Sequence, residues 1–124
     1  VVVGYRDSNL FLKEDLDKYA AVYVATEDGS MGTKGNVMNA IEENALDAEV
    51  IYACGPMPML RAIKRYAEDK GIKAYISLEE HMACGVGACL GCVVKTKEVD
   101  HHSHVHNARI CTDGPVFDAE EVHI

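Results

Sequence analysis

"EVIYACGPMPMLRAIKRYAEDKGIKAYISLEE", residues 49–80, holds a strand, a helix and a second strand in succession. "EVIYACGP" is a short apolar run that stops at a Gly-Pro turn. "MPMLRAIKRYAEDKG" is the clearest helix in the chain. Pro58 stands in its first turn, Leu60, Ile63 and Ala67 share one face, and Gly71 stands where a C-terminal cap belongs. "IKAYISLEE" returns to strand. A strand–helix–strand unit of this kind brings its two strands side by side in parallel, with the helix packed on one face.

The same rhythm extends towards the start of the chain. "VVVGYR" (1–6) and "AVYVATED" (21–28) read as strands. Between them lies "LFLKEDLDKYA" (10–20), where Leu12, Leu16 and Tyr19 recur at helical spacing. "NVMNAIEENALDA" (36–48) reads as a further helix with Val37, Ala40 and Ile41 on one face. The expectation is an α/β fold with a parallel, Rossmann-like sheet. Ligands of such sheets sit at the carboxyl ends of the strands, which draws attention to "GYRDS", "TEDGS" and "ACGPM". "DGSMGTKG" (28–35) has glycines at 29, 32 and 35 ahead of a helix. That pattern fits a phosphate cradle or a plain strand–helix turn.

The bulk composition narrows the function classes. A chain of 124 residues with 48% hydrophobic and 26% charged residues is ordinary for one globular domain. A net charge of −8 argues against a nucleic-acid partner, since little here would neutralise phosphates. No apolar run reaches the roughly 18–20 residues of a membrane span. No signal peptide is visible, and the chain opens inside an apolar strand, as a piece of a longer protein would. Five cysteines without an export signal favour metal or redox chemistry in the cytoplasm over a disulfide framework.

After Glu80 the strand–helix rhythm stops and "HMACGVGACLGCVVK" (81–95) begins. Its thiols run Cys84-x4-Cys89-x2-Cys92, and Cys111 comes after eighteen intervening residues. A plant-type [2Fe–2S] centre uses the order C-x4-C-x2-C…C. A loop wrapped round such a cluster turns amides towards sulfur, and glycines suit the backbone angles this needs. Zinc is the competing reading, with Cys89-x2-Cys92 as half a knuckle and Cys111 or the histidines of "HHSHVH" (101–106) completing it. Ligand order favours the cluster. The histidine run itself reads as a polar loop that picks up adventitious zinc or nickel. Cys54, apart from the rest, is either a buried small residue or a neighbour of a bound nicotinamide or flavin. No Ser/His/Asp set or carboxylate pair suggests hydrolysis.

"YVATEDGSMGTKGNV" (23–37), "IYACGPMPMLRAI" (51–63), "ISLEEHMACGVGACLGCVVK" (76–95) and "RICTDGPVF" (109–117) resemble the electron-transfer subunit of heteromeric, NAD-linked dihydroorotate dehydrogenases. The C-G-P-x-P-M-L segment is shared with the wider ferredoxin–NADP reductase superfamily. The cysteine loop together with "CTDGPVF" is more specific to this subunit. The resemblance implies an FAD-binding barrel, an NAD-binding α/β domain and a C-terminal [2Fe–2S] lobe in the full subunit. Residues 1–80 would be part of the NAD domain, without its first strand and glycine-rich loop, and residues 81–124 the lobe. NADH would pass hydride to FAD, and the cluster would relay single electrons to the FMN of a catalytic partner subunit in pyrimidine biosynthesis, within a heterotetramer. Cys84, Cys89, Cys92 and Cys111 become cluster ligands. Cys54, Gly55 and Pro56 become the loop facing the nicotinamide, Asp28 and Gly29 border the same cleft, and Arg6 lies near the adenine ribose. The FAD barrel is missing here, so the chain alone is expected to bind NAD poorly and catalyse nothing. The histidine run departs from the family pattern, and the expectation is that it loosens the segment delivering Cys111. Two other readings stay open: a subunit of a related NADH-dependent ferredoxin:NADP or sulfide oxidoreductase, and a zinc-stabilised interaction module.

Overall fold

The computed structural model describes residues 1–101 and 104–124. It divides into two units, Val1–Asp47 and Ala48–Ile124. The expected division at residues 80 and 81 tracks the change of motif, whereas this one tracks packing.

The first unit is a parallel three-stranded sheet, β1 (Val2–Tyr5), β2 (Tyr23–Thr26) and β3 (Thr33–Lys34), in that order. The helix expected between β1 and β2 shrinks to one short piece, α1 (Lys13–Asp17). Leu12, expected inside it, instead enters it in a left-handed conformation at φ 64°. α2 (Val37–Glu43) is capped by Asn36, whose side chain accepts from the amides of Met38 and Asn39, and Val37 and Ala40 are buried beneath it. It stops at Asn44 because Ala45 turns left-handed at φ 48°. The turn that precedes β3 requires glycine at position 32, where φ is +62° and a Cβ would sit 2.1 Å from the Val24 carbonyl oxygen.

The second unit contains the strand–helix–strand segment of residues 49–80. β4 (Val50–Cys54) pairs in parallel with β5 (Lys73–Ser77), with Cys54 opposite Ser77. α3 (Met57–Lys70) joins them, burying Leu60, Ile63 and Ala67 and ending at Gly71, φ +67°. Beyond Glu80 the chain forms further short strands. β6 (Val93–Thr96), β7 (Asn107–Arg109) and β9 (Val122–His123) form an antiparallel sheet in the order β7-β6-β9. β8 (Val116–Asp118) leaves that sheet and adds antiparallel to β5. The cysteine-rich segment is therefore fused to the βαβ unit through one core. Leu60, Ala67, Ile76 and Leu78 pack in the same cluster as Cys92, Val94, Ile110, Phe117 and Val122. Hydrophobic burial across that join is what holds residues 48–124 as one unit.

A lysine closes the far side of this core. The Lys64 ammonium, on α3, donates to the carbonyls of Ala119 (2.5 Å) and Val122 (2.6 Å). An ion pair between Lys73 and Asp118 ties β5 to β8.

Candidate metal centre

Four of the five cysteines lie at one end of the β6–β7 hairpin, and none of the five is in a disulfide. Cys92 immediately precedes β6, and Cys111 lies two residues beyond β7. The pairing Val93↔Arg109 and the bond from the Ile110 amide to the Cys92 carbonyl, 2.8 Å, set these two cysteines side by side. The Cys111 thiol meets the Cys92 thiol, and this contact, burial and the nearby Cys92 and Cys84 sulfurs raise its pKa.

The loop 84–92 carries the other pair. The Cys89 amide points at Cys84 Sγ, 3.5 Å away, and the Gly91 amide at Cys89 Sγ, 3.4 Å away. The Cys89 amide foremost, then the Val86 amide and the Cys89 thiol, pull the Cys84 pKa down to about 6. Gly87 lies between them at φ +76°, and a Cβ there would come within 2.6 Å of Thr112 Cγ2.

The thiols therefore group as Cys84 with Cys89 and Cys92 with Cys111. Among the described residues, no three His, Cys, Asp or Glu side chains converge on a single ion position. Two pairs of thiols, with amides already turned to sulfur, fit a group that carries two irons.

Of the run's histidines, His101, His104 and His106 lie in the connection between β6 and β7, at the end of the hairpin away from Cys92, about 13 Å of strand distant. His106 Nδ1 is bonded there to the Lys97 carbonyl at 2.8 Å, and the His104 amide to the Asp100 carbonyl at 2.9 Å. His102 lies outside the described residues. The β6–β7 register sets Arg109 opposite Val93, at the end of the hairpin that leads to Cys111.

Sequence reasoning overlooked Arg109 and Asp113, which flank Cys111 two residues to either side. The Arg109 guanidinium donates to the Gly87 carbonyl (3.0 Å) and to both oxygens of the Asp113 carboxylate (3.3 Å each). Asp113 also accepts from the Arg109 amide at 2.7 Å. That amide bond, outweighing burial and joined by the guanidinium, holds the Asp113 carboxyl below the usual range. The R-x-C-x-D spacing was the available signal.

The remaining candidates are distributed over both units. In the second, exposed Cys54 ends β4 and Pro56 caps α3, with Gly55 between them. In the first, Arg6 and Asp28 are neighbours at the carboxyl ends of β1 and β2, where the Asp28 amide bonds to the Arg6 carbonyl at 3.3 Å. The Asp28 carboxylate accepts from the Ser30 hydroxyl (2.6 Å) and amide (2.9 Å), which lower its pKa. The amides of Gly29 and Gly35 bond to the Thr26 carbonyl, and that of Met31 to the Thr26 hydroxyl. Those donors are occupied within the turn rather than free to hold a phosphate. A cavity of about 240 Å³ in the second unit is lined by residues such as Met57, Arg61, Leu78, Lys95 and Ile110, and by no cysteine.

Comparison with known proteins bears directly on this loop. Residues 79–123 match the family described as the iron-sulfur cluster binding domain of dihydroorotate dehydrogenase B. The resemblance read from the cysteines holds. Along 98% of its length the chain is 43% identical to the "Dihydroorotate dehydrogenase B (NAD(+)), electron transfer subunit" of Caldanaerobacter subterraneus subsp. tengcongensis, covering 48% of that protein. It is 45% identical to the protein of the same name from Bacillus pumilus, again over 98% of the chain and 45% of the relative. The chain thus spans about half the length of these relatives. A solved structure described as an NADH-dependent reduced ferredoxin-NADP oxidoreductase, studied for flavin-based electron bifurcation, superposes on 98% of the chain. The TM-score is 0.81 at 27% identity, over 43% of that chain. The mixed α/β architecture and the link to the ferredoxin–NADP reductase type both rest on that match.

Proposed function

We propose that the chain is the NAD-domain and cluster-binding part of a dihydroorotate dehydrogenase B electron-transfer subunit, acting in pyrimidine biosynthesis in the cytoplasm. The observation that carries this reading is the set of two thiol pairs in the order C-x4-C-x2-C…C, within a segment that matches the family's iron–sulfur domain. Cys84 and Cys89 would hold one iron, and Cys92 and Cys111 the other. A [2Fe–2S] cluster, when bound, supplies one-electron transfer. The amides of Cys89 and Gly91, aimed at sulfur, would stabilise its negative charge.

The other parts of the site are assigned on the resemblance. Cys54, Gly55 and Pro56 would face the nicotinamide of NAD, with Asp28 and Gly29 along the cleft and Arg6 towards the adenine ribose. Residues 1–80 would form the dinucleotide part and 81–124 the cluster lobe, a reading supported by the parallel pairing of β1 with β2 in the first unit and of β4 with β5 in the second. FAD would be held by a part of the subunit beyond this chain. The electron acceptor would be the FMN of a catalytic dehydrogenase subunit, in a heterotetramer. No helix among the described residues is long and apolar enough to cross a membrane.

A second reading is favoured by the structural match: a subunit of an NADH-dependent ferredoxin:NADP oxidoreductase. The partner that copurifies with the protein from its source separates the two.

Anaerobic reconstitution with iron and sulfide tests the centre. The expected product carries about two irons and two sulfides per chain, with an S = 1/2 resonance after dithionite reduction. Cys89→Ser should abolish that signal, and Cys54→Ser should leave it intact. One zinc per chain, retained without iron uptake, would overturn the reading in favour of a zinc-stabilised module.

A further inference from the structure

The three loop cysteines and the fourth cysteine are far apart in sequence, so something must lock the loop to the hairpin. At the loop's end the backbone does this, through the Ile110 amide and the Cys92 carbonyl. The middle of the loop, between Cys84 and Cys89, is held by a side chain instead. Arg109 Nη1 bonds to the Gly87 carbonyl across 22 positions of sequence.

The surroundings of Arg109 fix that reach. Asp113 accepts from Nε and Nη2 on one edge of the guanidinium and also from the Arg109 amide, so the side chain has little freedom to swing away. The amides of Thr112 (3.2 Å) and Asp113 (2.8 Å) both bond to the Arg109 carbonyl, which closes the turn holding Cys111. Thr112 in turn abuts Gly87. The Arg109 side chain is 19% exposed, partly shielded from water, and its charge interacts with the Cys111 sulfur.

We infer that Arg109, oriented by Asp113, is a positioning residue that clasps the 84–89 loop onto the Cys111 turn and sets a positive charge beside the sulfurs. This rests on the cluster reading only for its charge component; the clasp itself belongs to the protein. A fork-shaped guanidinium can serve Gly87 and Asp113 together, whereas an ammonium at the same place has no second arm. The two components therefore separate under substitution.

Two measurements on Arg109→Gln, Arg109→Lys and the parent protein test it. The first is hydrogen exchange of the metal-free, reduced protein, read on the peptide spanning 82–92, with peptides of α3 and β4–β5 reporting that the unit stays folded. Both variants should exchange about tenfold faster in the loop, and at the parent rate in α3. The second, on reconstituted protein, is the reduction potential by redox titration of the resonance. Arg109→Gln should lower it, and Arg109→Lys should return it most of the way to the parent value. Unchanged loop exchange in both variants overturns the clasp. An unchanged potential in Arg109→Gln overturns the charge component. Should the parent take up no iron, the cluster reading fails while the exchange experiment still decides the clasp. Global loss of protection in Arg109→Gln would transfer that decision to Arg109→Lys, where unchanged loop exchange refutes it.

Discussion

Replacing Lys64 by Met keeps the aliphatic stem on α3 but removes the ammonium that serves two carbonyls. That ammonium bonds to Ala119 and Val122 at 2.5 and 2.6 Å, on a side chain only 14% exposed. Hydrogen bonds from a charged donor contribute about 1.5–3 kcal/mol each, and a buried carbonyl left bare costs about 1–3 kcal/mol. Against this stands the desolvation of the ammonium, which the variant no longer suffers. Glu68, at 3.8 Å and half exposed, adds little. The balance is a loss of about 2–4 kcal/mol. Urea unfolding monitored by circular dichroism should show the midpoint falling with the slope unchanged. Hydrogen exchange should locate the loosening at residues 117–124 before α3. A loss below about 0.5 kcal/mol would refute the claim that this ammonium fastens the last strand to the helix.

Gly87→Ala should strain the loop twice, through its left-handed φ and through contact with Thr112 Cγ2. A cost of about 1–2 kcal/mol is expected from the backbone alone, and Thr112→Ser, lacking that methyl, should relieve only the remainder in a double-mutant comparison of thermal unfolding. The ion pair between Asp118 and Lys73 should shape the pH dependence of stability. Burial opposes ionisation of Asp118, but the Lys73 ammonium and the Glu120 amide outweigh it and lower the pKa; the bond to Asp118 raises that of Lys73. The Asp118 contribution is full above its unfolded pKa of about 3.9 and lost as pH falls through the lower folded value. The Lys73 contribution is full below about 10.4 and lost as pH rises through the higher folded value. Asp118→Asn should flatten both limbs of a melting-temperature profile, and parallel profiles would refute the assignment.

β1, β2, β4, β5 and α3 were legible because local signals agreed, whereas β3, two residues long, was read as part of a glycine turn. Pro58, Leu60, Ile63, Ala67 and Gly71 all point to one helix with the observed ends. The segment before β2 misled, because Leu12, Leu16 and Tyr19 have helical spacing while Leu12 adopts a left-handed angle no periodicity reveals. The short strands β6–β9 were missed for a different reason. Each is four residues or fewer, and they are defined by partners distant in sequence. The grouping of the four cysteines at one end of the hairpin was foreshadowed by their spacing, since a C-x4-C-x2-C…C order is a one-dimensional property. The bond between Arg109 and Gly87 was not, for it depends on a register that only the folded hairpin supplies.

That register also bears on the thermodynamics of metal capture. Eighteen residues separate Cys92 from Cys111, and in an unstructured chain their closure would cost about 2–3 kcal/mol, growing only logarithmically with length. The hairpin meets that cost during folding, before any metal arrives. On the cluster reading, an incoming iron would meet a pair that is already adjacent, its affinity freed from the length of the connection. Residues added or deleted around the histidines change the closure term by a few tenths of a kcal/mol. The segment is, in effect, a place where evolution can write without disturbing the Cys92–Cys111 pair.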